Sequence, residues 1–487
     1  GMTRKYWKGL DELNQTPEFL QANDQEFTAQ QSVEEFLGDE NLNETSTARR
    51  DFLKFLGFSV AAATLAACES PVTKAIPYVN KPENVTPGMP TWYASTYYDG
   101  NSYASIVVKT REGRPIYIKG NRDFGFTQGA LTPQIVSSVL SLYDNARLKT
   151  AQAKGGKDIS WDKLDGAVKA ALADIKKSNG KVAFVANSVI SPSMQGAIVD
   201  LSTSIYGEVK DANGMAAVHP NFNFIQYDAI SYAGMREANL ESFGMRAIPD
   251  YDFLQAKTIV SIGADFLSTW LLGNAFSADY GKRREPNGEW MSKHFQFEST
   301  MSITGSNADY RGMIKPSEQA NVLAYILGKF GVNAGVSSAL PKEAQAVADQ
   351  AVKALKASKG MSVVVSGSNN KAIQILTNKL NSVLGAYGKT IRFDKQLQMF
   401  QSEDAKMQQF VSDVIAGKGP DAVFFLGSNP VYNLPNGKEF AAALDKVKLS
   451  VSLASYGDET ATKCTYIAPD HHALESWIEF KTKGGHY

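Results

Sequence analysis

Cysteine is nearly missing from this 487-residue chain: Cys68 and Cys464 are the only two. Two thiols cannot complete a four-thiolate cluster or a structural zinc site. Histidine is also sparse, and His219, His294, His471, His472 and His486 include no pair at the H-E-x-x-H spacing of a helical metal site. The adjacent His471 and His472 project to opposite faces of a strand or about 100° apart on a helix, so they read as surface or core histidines. No metal ligand is assigned. An excess of either charge is absent too: 50 Lys plus Arg balance 50 Asp plus Glu. Without a basic field, nucleic acid is not an expected partner. No G-x-G-x-x-G follows a strand, and there is no Walker motif and no G-x-S-x-G elbow. No set of nucleophile, base and orienter can be assembled, and no catalytic residue is named.

What is present is a folding composition, with 43% hydrophobic and 21% charged residues and 39 glycines. A chain of this length divides into two or three domains. Residues 1–48 form an acidic amino-terminal extension with a net charge of −7. Residues 49–68 follow as a signal-like segment. Arg49-Arg50-Asp51-Phe52-Leu53-Lys54 precedes an uncharged run over 55–67, thirteen residues long. That run is too short to span a membrane, which takes about 20 residues, but it suits a signal peptide. The paired arginines mark a twin-arginine export signal, placed unusually far into the chain. Leu65-Ala66-Ala67-Cys68 resembles a lipoprotein cleavage box, which makes Cys68 a candidate lipid site.

Residues 69–91 read as a linker, because Pro71, Pro77, Pro82, Pro87 and Pro90 exclude regular helix. A β-rich domain over 92–178 follows. Alternation over 103–110 and 115–119 around Arg111-Glu112-Gly113-Arg114 predicts a hairpin. Helical patterns cover 132–143 and 160–178. Short apolar runs at 181–186, 257–262, 361–366, 422–426 and 449–453 then alternate with helical stretches at 193–206 and 342–359. That pattern predicts buried parallel strands in two doubly wound sheets, assigned to 179–340 and 341–487. In such sheets ligands lie beyond the carboxyl ends of strands. Gly263-Ala264-Asp265 and Gly427-Ser428-Asn429-Pro430 fall there, so Gly263, Asp265, Gly427, Asn429 and Pro430 are the candidate cofactor-binding residues. Each turn reads equally as a tight strand exit.

Several segments occur in a characteristic order: Thr96-Tyr97-Tyr98-Asp99-Gly100-Asn101-Ser102-Tyr103, the hairpin, Lys119-Gly120-Asn121, Gly129-Ala130-Leu131-Thr132-Pro133, Leu142-Tyr143-Asp144-Asn145-Ala146-Arg147-Leu148 and Ile159-Ser160-Trp161-Asp162. This order resembles the start of a molybdopterin oxidoreductase of the dimethyl sulfoxide reductase family. Ala308-Asp309-Tyr310-Arg311 with Ile314-Lys315-Pro316, then Gly427-Ser428-Asn429-Pro430, Glu459-Thr460-Ala461, Ile467-Ala468-Pro469 and Glu475 continue the likeness to about residue 480. The family's cluster cysteines are absent: none lies among residues 97–105, Thr132 stands at the fourth position, and Gln134 replaces the lysine after it.

The extended amino terminus, the displaced twin-arginine segment and the degenerate domain together resemble one subgroup. It is the molybdopterin-like and iron–sulfur subunits of alternative complex III, a membrane quinol:electron acceptor oxidoreductase. The resemblance implies an α/β fold with two Rossmann-like domains and a small β-rich domain. It further implies a cleft without molybdopterin, an iron–sulfur domain beyond residue 487, and export to the periplasmic face of the cytoplasmic membrane. Membrane quinol-oxidising subunits and cytochrome c subunits are the implied partners. Two other readings stand beside it. One is an active molybdenum enzyme whose ligand comes from Asn187, Ser188, Ser191 or Ser193. The other is an exported α/β binding protein with Asp265, Asn429 and Glu475 as polar contacts.

Overall fold

Val182–Ala186 and Ala422–Leu426 show why continuous apolar runs become central strands. Along the first, Val182, Phe184 and Ala186 pack into one apolar cluster with Ile198, Phe222 and Phe424, while Ala183 and Val185 pack into a second with Phe410, Phe425 and Phe440. Both faces of the sheet are covered, so both sets of alternate residues must be apolar. The computed structural model describes residues 85–486 together with Thr16, Pro17 and Glu83. The acidic extension over 1–48, Arg49, Arg50, Cys68 and most of the 69–91 linker lie outside the described residues. Residues 85–486 fall within one unit, Pro82–Tyr487.

The fold is mixed α/β with two parallel sheets. The larger runs, edge to edge, through Lys157–Asp158, Gln152–Ala153, Tyr466–Ile467, Leu449–Ser452, Ala422–Leu426, Val182–Ala186 and Phe222–Gln226. Its last five strands are mutually parallel, with an antiparallel pair at one edge. The smaller sheet is wholly parallel in the order Tyr310–Met313, Lys293–Glu298, Thr258–Ile262, Ser362–Ser366.

The expected division at residue 340 is not how these strands pair. The chain leaves the larger sheet after Phe222–Gln226, builds the whole smaller sheet between residues 258 and 366, and returns at 422. The strands over 362–366 and 422–426, assigned to one domain from the sequence, therefore sit in different sheets. Parallel neighbours are joined by long crossovers, so adjacency in sequence does not dictate adjacency in a sheet.

Preceding both is a three-stranded antiparallel sheet: β1 (Thr91–Tyr98), β2 (Tyr103–Arg111) and β3 (Arg114–Gly120). The hairpin turns at Glu112 (φ 51°) and Gly113 (φ 77°), both left-handed, as a two-residue turn matched to strand twist requires. Pattern reading missed β1, although its Thr, Trp and Tyr content favours strands. Helices Pro133–Ser141 and Trp161–Lys177 start where Thr132 and Ser160 accept amide protons from Ile135 and Lys163. Thr132 thus serves as a helix cap at the position the resemblance assigns to a cluster cysteine.

The carboxyl-terminal segment straps these parts together. Lys481 donates its amide to Ile190 beside the larger sheet, and Gln398, just past the Ile391–Leu397 strand, donates to the Thr482 carbonyl. Phe480 packs on Tyr98 at 5.2 Å, while Lys483 lies 4.4 Å from the Phe126 ring and pairs with Asp250 at 3.0 Å. Burial raises the Asp250 carboxyl above its ordinary range, with Lys483 opposing. Replacing one member strands the other in the interior. Lys483→Ala should cost about 3 kcal/mol in urea unfolding, and the apolar pair Lys483→Met with Asp250→Leu should recover much of it.

His294 is wholly buried in the smaller sheet, with Tyr280 Oη 3.2 Å from Nδ1 and Gln296 Oε1 3.2 Å from Nε2. Burial pushes its pKa down to about 4 from the usual 6.5. Between those values the unfolded chain takes the proton first, so stability is complete above pH 6.5 and falls as pH drops toward 4. Urea midpoints at pH 7 and pH 4.5 should differ, and His294→Gln should remove His294's share of that slope, on the order of 2–3 kcal/mol.

Candidate functional site

The carboxyl ends of the larger sheet meet the tip of the β1–β2 hairpin. Asp99 shapes that tip by accepting amide protons from Asn101 at 2.8 Å and Ser102 at 2.7 Å. Gly100 (φ 97°) and Gly427 (φ 58°) face each other across the Asn187 side chain. A Cβ on Gly100 would lie 2.6 Å from Asn187 Nδ2, and one on Gly427 2.9 Å from Asn187 Cγ. The two glycines thus leave just enough room for one amide, and Asn187 fills it.

Two cavities of about 360 and 310 Å³ flank this wedge and share Asp99, Asn187 and Gly427. Asp228 and Asp458 line the first and Asp470 the second, and among the described residues neither is lined by lysine or arginine. Burial raises the carboxyls of Asp228 and Asp458 above their ordinary range, against the hydrogen bonds they accept.

Sequence separations of thirty and more residues close here. Asn429 Oδ1 accepts from the Thr460 amide at 3.1 Å and hydroxyl at 2.7 Å, while Asn429 Nδ2 donates to Glu459 at 2.7 Å. The Gly-Ser-Asn-Pro turn and the Glu-Thr-Ala segment are therefore one hydrogen-bonded unit. Buried Pro430 opens the four-residue helix Pro430–Asn433 beside it. Arg147 and Glu475, also from separate motifs, pair at 2.6 Å.

Gly263 and Asp265 line neither cavity. They end a strand of the smaller sheet, where a Cβ on Gly367 would meet the Gly263 carbonyl at 2.2 Å. Asp265 accepts from Thr304 Oγ1 at 2.7 Å and Thr269 Oγ1 at 3.2 Å, so both of its oxygens brace loops. The five candidate residues thus fall into two groups at the ends of different sheets.

The serines weighed as metal ligands have protein partners. Ser188 donates its hydroxyl to Asp228 at 2.6 Å and its amide to the same carboxylate at 2.9 Å, and accepts the Gln401 amide. Ser191 caps Pro192–Tyr206, and Ser193 donates its amide and hydroxyl to Glu479. His472 is no base for Ser141, though Nε2 lies 2.9 Å from that hydroxyl, because Nδ1 accepts the Leu474 amide and so carries no proton. Burial pushes the Cys464 thiol up to about 12, leaving it a small apolar group. Among the described residues no three His, Cys, Asp or Glu side chains are placed to hold a metal ion, and no helix is long and apolar enough to cross a membrane. Sequence reading missed Asp228 and Asp458. The signal for Asp228 was its place just after Phe222–Gln226, a strand too polar to register as a buried run.

No family model matches the chain. The chain is 24% identical over 483 residues to the menaquinone reductase, molybdopterin-binding-like subunit of Nitratidesulfovibrio vulgaris, a match that takes in 88% of this chain and 66% of that protein. Acetylene hydratase from Pelobacter acetylenicus shares the fold with a TM-score of 0.51 at 12% identity, over 80% of this chain and 63% of that one. The chain thus spans just under two thirds of the length of either relative.

The cleft's lining does not fit a phosphate-bearing pterin cofactor. Such a group calls for cations or unobstructed backbone donors, and here it would meet carboxylates at about 3 kcal/mol of repulsion for each charge pair some 6 Å apart at an effective dielectric near 20. The two neighbouring side chains should also part in their cost to stability. Ser188→Ala removes a donor from a buried carboxylate and the acceptor of Gln401, and should lower unfolding free energy by about 1–3 kcal/mol. Asn187→Ala empties a partly buried gap that opens onto both cavities and leaves no buried charge behind, so it should cost less, about 0.5–1 kcal/mol in the same denaturation assay.

Proposed function

We propose that this chain is a cofactor-free, molybdopterin-oxidoreductase-like structural subunit of a membrane quinone-linked oxidoreductase, of the alternative complex III type. The observation that carries this reading is the cleft: Asn187 fills the space between Gly100 and Gly427, and among the described residues the cavities on either side are lined by carboxylates and no cation. A redox site would need ligands and counter-charges there, whereas a scaffold needs only a closed and stable sheet end. The similarity to a menaquinone reductase subunit supports the link to quinone. In this reading the protein holds an adjoining iron–sulfur domain against membrane quinol-oxidising subunits and cytochrome c subunits. Arg49 and Arg50 direct export to the periplasmic face of the membrane, and Cys68 provides a lipid anchor.

The test is elemental analysis of the subunit separated from its native complex. Molybdenum and tungsten should lie far below one atom per chain, with any iron confined to the cysteine-bearing part. One molybdenum or tungsten per chain, with pterin released by acid, would overturn the reading and return attention to residues 187–193.

A further inference from the structure

Asparagine followed by glycine occurs four times, at Asn179, Asn213, Asn287 and Asn436. The pair is chemically weak because glycine has no Cβ to shield its amide nitrogen, which can attack the asparagine side-chain carbonyl. Ring closure needs two freedoms: a side chain that nothing holds, and a glycine amide able to turn out of its hydrogen bond. The fold grants them unequally.

Two of the pairs are locked. Asn179 Oδ1 accepts from Asn221 Nδ2 at 2.9 Å, the Gly180 amide donates to the Ile175 carbonyl at 2.9 Å, and a Cβ on Gly180 would lie 2.5 Å from Asp421 Oδ2. Gly437 is buried at the start of the helix Gly437–Leu444, donates its amide to Leu434 at 3.1 Å, and has its Cβ position 2.0 Å from the Val431 carbonyl. Neither amide nitrogen can swing without moving packed neighbours.

The other two stand at exposed turns, and neither asparagine side chain has a hydrogen-bond partner among the described residues. Around Asn213 the main chain is still stapled: Asp211 accepts the amides of Asn213 at 2.8 Å, Gly214 at 3.0 Å and Met215 at 2.9 Å. Asn287 has no such staple. In Glu285-Pro286-Asn287-Gly288 the glycine amide makes one long bond, 3.3 Å to the Glu285 carbonyl, and the nearest non-adjacent atom to its Cβ position is 3.5 Å away.

We propose that Asn287 is a site of spontaneous deamidation and the first of the four to react. The Gly288 amide nitrogen gives up its proton to hydroxide and bonds to Asn287 Cγ, ammonia leaves, and a succinimide ring results. Water then adds to either ring carbonyl, giving aspartate or isoaspartate, with nothing oxidised or reduced. A carboxylate thereby appears between Glu285 and Glu289, and the balance of 50 basic and 50 acidic residues shifts to the acidic side. The flanks of the turn confine the change. Arg283 lies over Trp290 at 4.1 Å and donates to Leu254 at 2.7 Å, while Arg284 holds Asp309 at 2.7 Å and the Ser292 carbonyl at 2.8 Å. The modification thus marks the age of the molecule without unfolding it.

The test keeps the full chain folded at mildly alkaline pH over several days and follows its tryptic peptides by mass spectrometry, with isoaspartate counted by enzymatic methylation. The Asn287 peptide should convert about tenfold faster than those of Asn179 and Asn436, the factor that one hydrogen bond of about 1.4 kcal/mol sets on a rate, with Asn213 between. Equal rates in the folded chain would overturn the proposal. In urea the four should converge, and persistence of the native order there would overturn the fold as its cause. Gly288→Ala fits, because the residue lies outside the left-handed region and its Cβ has room. It should slow conversion about tenfold, and an unchanged rate would overturn the ring-closing route. Asn287→Asp should keep the parent's urea midpoint, and a lower midpoint would overturn the claim that the change stays within the turn.

Discussion

One buried carboxylate sits where the chain changes sheets. Asp228 follows the last strand before the excursion into the smaller sheet, and Gln401 and Ser402 lie on the return path. Ser188 donates twice to Asp228 and accepts the Gln401 amide, Ser402 Oγ accepts the Asp228 amide, and Arg236 donates to the Ser402 carbonyl at 3.0 Å. The outgoing and returning strands of chain are thereby fixed to each other and to the end of Val182–Ala186. A charge without these donors would cost several kcal/mol at that depth, so the crossing and the network depend on each other.

That node also sets the character of the cleft. Asp228 lines it from one side, and the residues that hold it, Ser188 among them, are the ones a metal site would have to recruit. Each is committed to the fold. Asn187, next in line, fills the gap between two glycines, and Asn429 is spent joining Thr460 and Glu459. Polar groups at a strand's carboxyl end can either receive a ligand or satisfy one another, and in this protein they do the second. The scaffold reading rests on that division.

The strap over 479–486 extends the same logic to the small sheet. Through Glu479, Phe480, Lys481 and Lys483 it touches the loop after Val182–Ala186, Tyr98 and Phe126 of the β-rich part, and Asp250 beside the smaller sheet. The hairpin tip at Asp99 and Gly100 is held over the cleft by these contacts.

Local order was legible in the sequence because its causes are local. Ser160 and Thr132 announced helix starts, Glu112-Gly113 announced a turn, and apolar runs at 181–186, 257–262, 361–366 and 422–426 announced buried strands within a residue of their bounds. Half-polar strands such as Phe222–Gln226 and β1 left no such run and were passed over. Which strand lies beside which was decided only in three dimensions. Parallel pairing joins residues 182 and 422, which lie 240 positions apart in the chain, and no periodicity within a window encodes that choice. The cleft divides the same way. Sequence placed Gly427 and Asn429 at a strand end, but only the tertiary structure put Asn187 between Gly427 and Gly100, set Gly263 and Asp265 apart, and gathered carboxylates where the fold's pattern alone suggested a phosphate site, because electrostatics and packing act between neighbours in space.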